Sequence, residues 1–433
     1  MSGSLLTQDK RTRARNAAEA RFRSYGIVAI ILALLALVWL LISILGNGLP
    51  AFRQTMLTFP VTLDAAVLDK ADTRDPQALA KVTTITYGKL LSRALSAELA
   101  ARGIDAGTLT DKDIGSLISE ESAAQLRDKV LGDPGLIGST ITFQALATGR
   151  IDGYYKGRVT METAAKDKNT SPEKLALADK MKDAGILAMR FNPGFILLPD
   201  ASDKRPEAAG LGVAILGSAY MMIVVLLLSL PIGVAASLYL EEFAPRNRFT
   251  DLIEVNIANL AAVPSIVYGI LGLSFFINFA GLPRSAPVVG GLVLVLMTLP
   301  RIIIPTRAAL NAVPPSIRDA ALGVGASRLQ TVFHHVLPLA MPGVMTGSIL
   351  SLAHALGETA PLLMIGMISF VPGVPEGFTG AATVLPVQVF IWENASERAF
   401  HERTAGAIIV LLVFMIVMNL AAILLRRRFE RRW

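Results

Sequence analysis

The chain has 433 residues, 53% of them apolar, a formal charge of +7 and no cysteine, and its mean hydropathy is +0.53. That balance is too apolar for an ordinary water-soluble domain, and the missing cysteines exclude a disulfide framework. The basic excess sits at two ends that abut apolar runs, so a membrane surface accounts for it and nucleic acid does not.

In chain order, residues 1–25 form a basic tail with Lys10, Arg11, Arg13, Arg15, Arg21 and Arg23. Gly26 to Phe52 then carries no charge, and a first transmembrane helix is expected over 26–49. Its apolar core exceeds the ~7–15 residues of a signal peptide and no Ala-x-Ala site follows, so a retained anchor is expected. The loop 50–207 is long enough to be a domain. Helical patterns occur at Ser122–Leu131 and Pro172–Lys182, and extended ones at Lys81–Tyr87, Thr140–Phe143 and Gly185–Phe191, which reads as a small α+β unit.

Five more apolar regions follow. Ala208–Leu240, Val255–Pro283 and Thr404–Leu425 are free of charge; Ser285–Ile317 contains Arg301 and Arg307, and Val336–Pro375 contains His354 and Glu358. Crossing a bilayer takes about 20 such residues, so six spans are expected. The positive-inside rule places both termini in the cytoplasm, the second being the basic tail 426–433. With that start, 241–250 and 313–341 fall inside, and 50–207, 281–287 and 370–403 outside. The expected architecture is an all-α membrane protein with six transmembrane helices. An extracytoplasmic α+β domain is inserted between helices 1 and 2, and helices 2–6 occupy 208–425.

Intramembrane ionisable groups are costly and mark function by default. Ser351, His354 and Glu358 recur at i, i+3 and i+7, on one face of span 5 together with Gly347. They read as a polar step in a solute path or as an interhelical lock. Arg301 follows Pro300 in span 4, where it can meet an anion or pair with Glu358. Arg307, nearer the cytoplasm, is expected to snorkel to the interface. Gly357 and Pro361 flank Glu358, Thr359 and Ala360, weakening helical bonding so that backbone groups can face a solute. Gly343 and Gly347 form a GxxxG pair, and Pro231, Pro264, Pro300 and Pro305 imply kinks.

The segment Ser316–Pro338 between spans reads as two short capped helices. Ser316 with Asp319 and Ser327 with Gln330 have capping-box spacing; Gly325 can turn the chain, and Pro338 is expected to halt the second helix. It is either a well-capped connector or a surface presented to another protein. No Gly-x-x-x-x-Gly-Lys-[Ser/Thr] and no His-Glu-x-x-His occurs, so no P-loop binds nucleotide here and energy from ATP has to come through a partner.

Asp319-Ala320-Ala321-x-x-x-Gly325, nine residues, then His335-x-Leu337-Pro338 resembles the cytoplasmic loop of MetI-like ABC importer permeases. The family pattern has Glu and Ile where this chain has Asp319 and His335. The resemblance implies that Asp319, Ala320, Ala321, Gly325, Leu337 and Pro338 couple the spans to an ATPase. Gly357-Glu-Thr-Ala-Pro-Leu-Leu363 is similar to PstA-type permeases of phosphate importers, whereas sulfate and molybdate permeases typically carry Gly-Glu-Phe-Gly-Ala there. The likeness runs from about Leu211 to the C-terminus.

It implies a non-catalytic permease subunit of an ATP-driven phosphate importer in a bacterial inner membrane, working by alternating access and needing neither metal nor cofactor. The implied partners are a PstB-type ATPase homodimer, a PstC-type second permease and an extracytoplasmic phosphate-binding protein, all in a lipid bilayer. The implied substrate path is Glu358, His354, Arg301, Ser351 and Thr359. His354 departs from the arginine expected at its position, so Arg301 can supply the lost charge, or selectivity differs. The loop 50–207 departs in being far longer than the family minimum. A permease for another oxyanion, an ion-gradient-driven carrier or channel, and a membrane-anchored sensor stay open as alternatives; the multi-span polar interior argues against the last.

Overall fold

A computed structural model describes residues 10–69, 74–167, 170–200, 205–367, 371 and 373–429. Residues 1–9 and 430–433 of the two expected basic tails lie outside them. The described parts of both tails are not separate segments but continue the neighbouring helices. The first helix, α1, runs from Lys10 to Gly48. Most of its apolar surface is exposed, which in a bilayer is where lipid lies. Its last turn is pinned: a Cβ on Gly48 would come 2.7 Å from the backbone carbonyl of Ala405, so only glycine allows this approach.

After α1 a compact unit forms around a three-stranded antiparallel sheet of β1 (Arg53–Thr62), β2 (Thr140–Leu146) and β3 (Leu187–Phe191), in the order β2-β1-β3. Register pairs Phe59 with Phe143 and Leu57 with Leu187. Leu57, Phe59 and Val61 alternate toward a core closed by α2 (Thr84–Ala101), α3 (Glu120–Gly132), α4 (Gly149–Tyr155) and α5 (Pro172–Asp183). The expected strand over Lys81–Tyr87 is instead the approach to α2 and its first turn. Tyr87, Leu91, Leu95 and Leu99 fall at helical spacing and are buried, and that face overrides the β-branched Thr84, Ile85 and Thr86.

The central strand β1 is not among the extended stretches read from the sequence, and it contains Pro60, a residue that argues against an interior strand. Thr58 donates its N–H to Ile186 O, on the β3 side. Two residues on, the donor that Pro60 lacks would point the same way, beyond the end of the β1–β3 pairing at Leu57.

The membrane part comprises α6 (Gly212–Leu238), α7 (Arg248–Ala261), α8 (Ser265–Gly272), α9 (Pro287–Asn311), α10 (Pro315–Gly323), α11 (Arg328–Gln330), α12 (Leu337–Gly357), α13 (Ala360–Met364), α14 (Leu385–Glu393) and α15 (Ala399–Phe429). Five described helices are long and apolar enough to cross a membrane, or six if one bent pair counts as a span. That pair shows the kink expected at Pro264 to be a sharp break within the apolar stretch Val255–Pro283: α7 and the stretch Ser265–Phe279 meet at 101°. Pro264 is the cause, since it has no N–H to give and drives Val263 out of helical geometry.

Span 5 is also not continuous; α12 stops at Gly357 and α13 resumes at Ala360. The segment expected to lie outside, 370–403, carries α14, whose Val387 and Trp392 are buried. Small residues set the spacing between spans. Cβ atoms on Gly343 and Gly347 would meet Ala309 and Pro305 at 2.7 Å each, so the GxxxG pair lets α12 lie directly on α9.

Candidate functional site: a polar step and a capped hairpin

Pro305 lies inside α9, so the carbonyl of Arg301, four residues earlier, has lost its helical donor. Ser351 on α12 supplies one: its hydroxyl reaches Arg301 O at 2.8 Å and its own Gly347 O at 2.8 Å. This bond is possible because Gly347 brings the two helices together. One turn further along α12, His354 Nε2 lies 2.8 Å from Glu358 Oε1, and Arg301 Nη1 lies 3.6 Å from the same oxygen. The first is a close ion-pair contact and the second a looser one, too long for a hydrogen bond. Arg301 Nη1 is buried with no hydrogen-bond partner among the described residues.

Glu358 sits at the break itself, with φ −77° and ψ 120°, so it points from a helix end instead of a helix flank. Its side chain is 16% exposed against 55% for His354. Thr359 Oγ1 is 3.5 Å from Gly357 O, and the Thr359 carbonyl starts α13 by accepting from Leu362 and Leu363. Ser351, Arg301, His354 and Glu358 therefore converge as the spacing predicted, with Thr359 adjoining. The result is a guanidinium with an unused donor, a carboxylate and an imidazole grouped where backbone geometry is irregular.

In the hairpin, Gly325 turns the chain with φ +93°, and the end of α10 is closed by Ala326 N–H to Ala321 O at 3.1 Å and Gly325 N–H to Leu322 O at 3.0 Å. Ser327 and Gln330 form the expected capping box. Ser316 and Asp319 do not: α10 starts at Pro315 with Pro314 as its cap, which puts Ser316 inside the helix. Proline is pre-set for a first helical position and displaces the serine from the capping role.

Pro338 does not stop the chain either. The helix runs on from Arg328 to Gly357 because a wider turn over Thr331–Val336 precedes α12 and leaves Pro338 near its start, where its missing N–H matters least. Leu337 and Pro338 are half-buried, Ala321 is buried, and Asp319 and Ala320 are exposed. Leu322, Val324, Leu329 and Phe333 are exposed beside them.

Sequence reading missed the acids that hold this hairpin. Arg318 donates Nη2 to Glu242 at 2.7 Å and also caps α9, giving Nη1 to Val313 O at 2.7 Å and Nη2 to Leu310 O at 3.0 Å. Arg307 does not snorkel: it pairs with Glu241 at 3.1 Å and Glu254 at 2.7 Å. The adjacent acids Glu241 and Glu242, of little weight for orientation, were the available signal.

A second missed cluster joins the sheet unit to α15, which begins before the uncharged run. Lys156 Nζ lies 2.8 Å from Asp152 and 2.7 Å from Glu402. Arg158 pairs with the same two acids, and Arg403 is buried while donating to Pro206 O, Ala51 O and Gln54 Oε1. Burial holds the Lys156 ammonium down at about 8, outweighing the upward pull of Asp152.

A proline-broken helical bundle, with small residues at its contacts and a charged step at an interrupted helix, defines the class as a membrane transport permease. The chain belongs to the family described as "Binding-protein-dependent transport system inner membrane component", which matches residues 209–433. It is thus a multi-pass inner-membrane permease subunit of the ABC importer type, as the hairpin motif implied. Residues 9–165 match a second family, described only as a domain of unknown function, DUF3333.

The chain is 32% identical over 230 residues to the probable ABC transporter permease protein YqgI of Bacillus subtilis, covering 50% of this chain and 78% of the relative. It is 32% identical over 225 residues to the phosphate transport system permease protein PstA 1 of Mycobacterium tuberculosis (strain ATCC 25618 / H37Rv), covering 52% and 72%. Among solved structures, an inward-facing MetNI methionine ABC transporter chain is similar with a TM-score of 0.41 and 16% identity, over 50% of this chain and 95% of that one.

Proposed function

We propose that this permease is the PstA-like subunit of an ATP-driven importer of inorganic phosphate, working by alternating access. The observation that carries the reading is Glu358 at the break between α12 and α13, held by His354 and faced by Arg301 with an unused donor. A carboxylate repels a fully deprotonated oxyanion but accepts a hydrogen bond from one that retains a proton, as phosphate does near neutral pH and sulfate does not. Arg301 is then free to give its spare N–H to the same anion. The name of the Mycobacterium tuberculosis relative supports phosphate as the cargo.

On this reading the chain performs no chemistry itself. A PstB-type ATPase pair hydrolyses ATP and seats the exposed Leu322, Val324, Leu329 and Phe333 of the hairpin, with Asp319 and Ala320 beside them. A PstC-type permease completes the path, and a phosphate-binding protein delivers on the opposite side. Both termini lie in the cytoplasm and the sheet unit within 50–207 lies outside. Uptake into vesicles containing the assembled transporter tests it. Glu358→Gln is expected to cut phosphate uptake at least tenfold with the ATPase still bound. Gly325→Pro is expected to abolish uptake while the chain stays in the membrane. Wild-type uptake in Glu358→Gln, or sulfate carried as fast as phosphate, would refute the assignment.

A further inference from the structure

Where α1 ends, the sheet unit begins and α15 starts, a cavity of about 1380 Å³ opens. Its walls have two characters. Leu45 and Ile409 belong to the two membrane helices, Leu49 directly follows the first of them, and Met189 and Phe191 reach in from the edge strand β3. Leu45, Leu49, Met189 and Phe191 are well exposed, so apolar surface continues from the lipid-facing side of α1 into the cavity.

The remaining wall is basic. Lys156 and Arg158 are neutralised by Asp152 and Glu402, and His401 lies 3.4 Å from Glu393. Arg53 and Arg398 line the same space, and neither has a carboxylate or hydrogen-bond partner for its guanidinium among the described residues. Both are exposed, and two cations without a protein counter-ion next to an apolar wall suit an anion that carries hydrocarbon.

Position agrees with that chemistry. The uncharged part of α1 is long enough to cross the ~30 Å hydrocarbon layer, so its last turn and Arg53 stand at headgroup level. Arginines there meet lipid phosphates. The cavity is also larger than the roughly 300–1,000 Å³ that suits a small soluble ligand.

We propose that this seam binds an acidic phospholipid of the adjacent leaflet, with Arg53 and Arg398 on the phosphate diester and an acyl chain along Leu45, Leu49 and Phe191. The lipid would complete the contact between α1 and the rest of the chain.

The test is native mass spectrometry of the full-length chain released from detergent micelles, titrated with phosphatidylglycerol or phosphatidylcholine. Wild type is expected to retain one phosphatidylglycerol at least tenfold more tightly than the Arg53→Ala/Arg398→Ala variant, and to prefer it to phosphatidylcholine. The exposed pair Lys112→Ala/Lys129→Ala should bind as wild type does. Millimolar inorganic phosphate should leave the lipid in place. Equal retention by wild type and the arginine variant, equal affinity for phosphatidylcholine, or displacement by inorganic phosphate would each overturn the proposal, the last by making this a free-anion site. Should the double variant not fold, Arg398→Gln alone is expected to weaken binding at least threefold, and unchanged binding would again overturn it.

Discussion

Removing Arg318 should loosen the hairpin from the bundle. Its guanidinium holds Glu242 with both Nε and Nη2 and closes the C-terminal end of α9 through Leu310 O and Val313 O. The side chains of Arg318 and Glu242 are 22% and 9% exposed, so this is a partly buried pair. Hydrogen bonds to a charged group contribute about 1.5–3 kcal/mol each, and stranding one partner of a fully buried pair costs about 3–5 kcal/mol. Discounted for solvent at the arginine, Arg318→Ala should destabilise by about 2–3 kcal/mol. Glu242→Gln should cost less, about 1–2 kcal/mol, since an amide oxygen still accepts.

The informative quantity is their coupling. A double-mutant cycle read by thermal unfolding in detergent should give an interaction energy of about 1–2 kcal/mol, because both changes act on one contact. In assembled transporter the single variant should retain ATP hydrolysis but lose most of the uptake it drives. Strictly additive losses, with coupling under ~0.5 kcal/mol, would show that Arg318 and Glu242 do not act as a unit.

Ser351→Ala should cost about 1–3 kcal/mol by leaving the Arg301 carbonyl without a donor; in a Pro305→Ala background, where residue 305 regains its N–H, the loss should shrink, and the same loss in both backgrounds would refute the reading. Lys156 has a folded pKa of about 8 against an ordinary 10.5, so unfolding takes up a proton between those values. Its contribution to stability is therefore least below pH 8 and grows as pH rises through that window, on the order of 3 kcal/mol in all. The stability difference between wild type and Lys156→Gln should widen in favour of wild type from pH 8 to 10.5; a narrowing difference would refute it.

The polar step and the Gly325 turn were legible because each is local. Helical spacing alone puts Ser351, His354 and Glu358 on one face, and a glycine before a capping serine announces its own turn. Proline misled wherever position outweighed identity. Pro338 sits at a helix start, and Pro314 took the capping role expected of Ser316. Pro264 was legible as a kink, but the size of its bend was not, because hydropathy there is uniform and gives no boundary. The ion pairs of Arg318 with Glu242 and of Lys156 with Glu402 were out of reach for another reason. Their partners lie 76 and 246 residues apart, and no periodicity reports such distances.

The join between the sheet unit and α15 has a mechanical consequence. The unit has its own core, so it resists deformation, and it grips the first turns of α15 through Glu402 and Arg403. A force applied to it by a docked protein would arrive as torque on the last span, and on α1 through Gly48, instead of at Glu358. The unit is thus tied to the bundle at the first turns of α15 and the last turn of α1, away from Glu358.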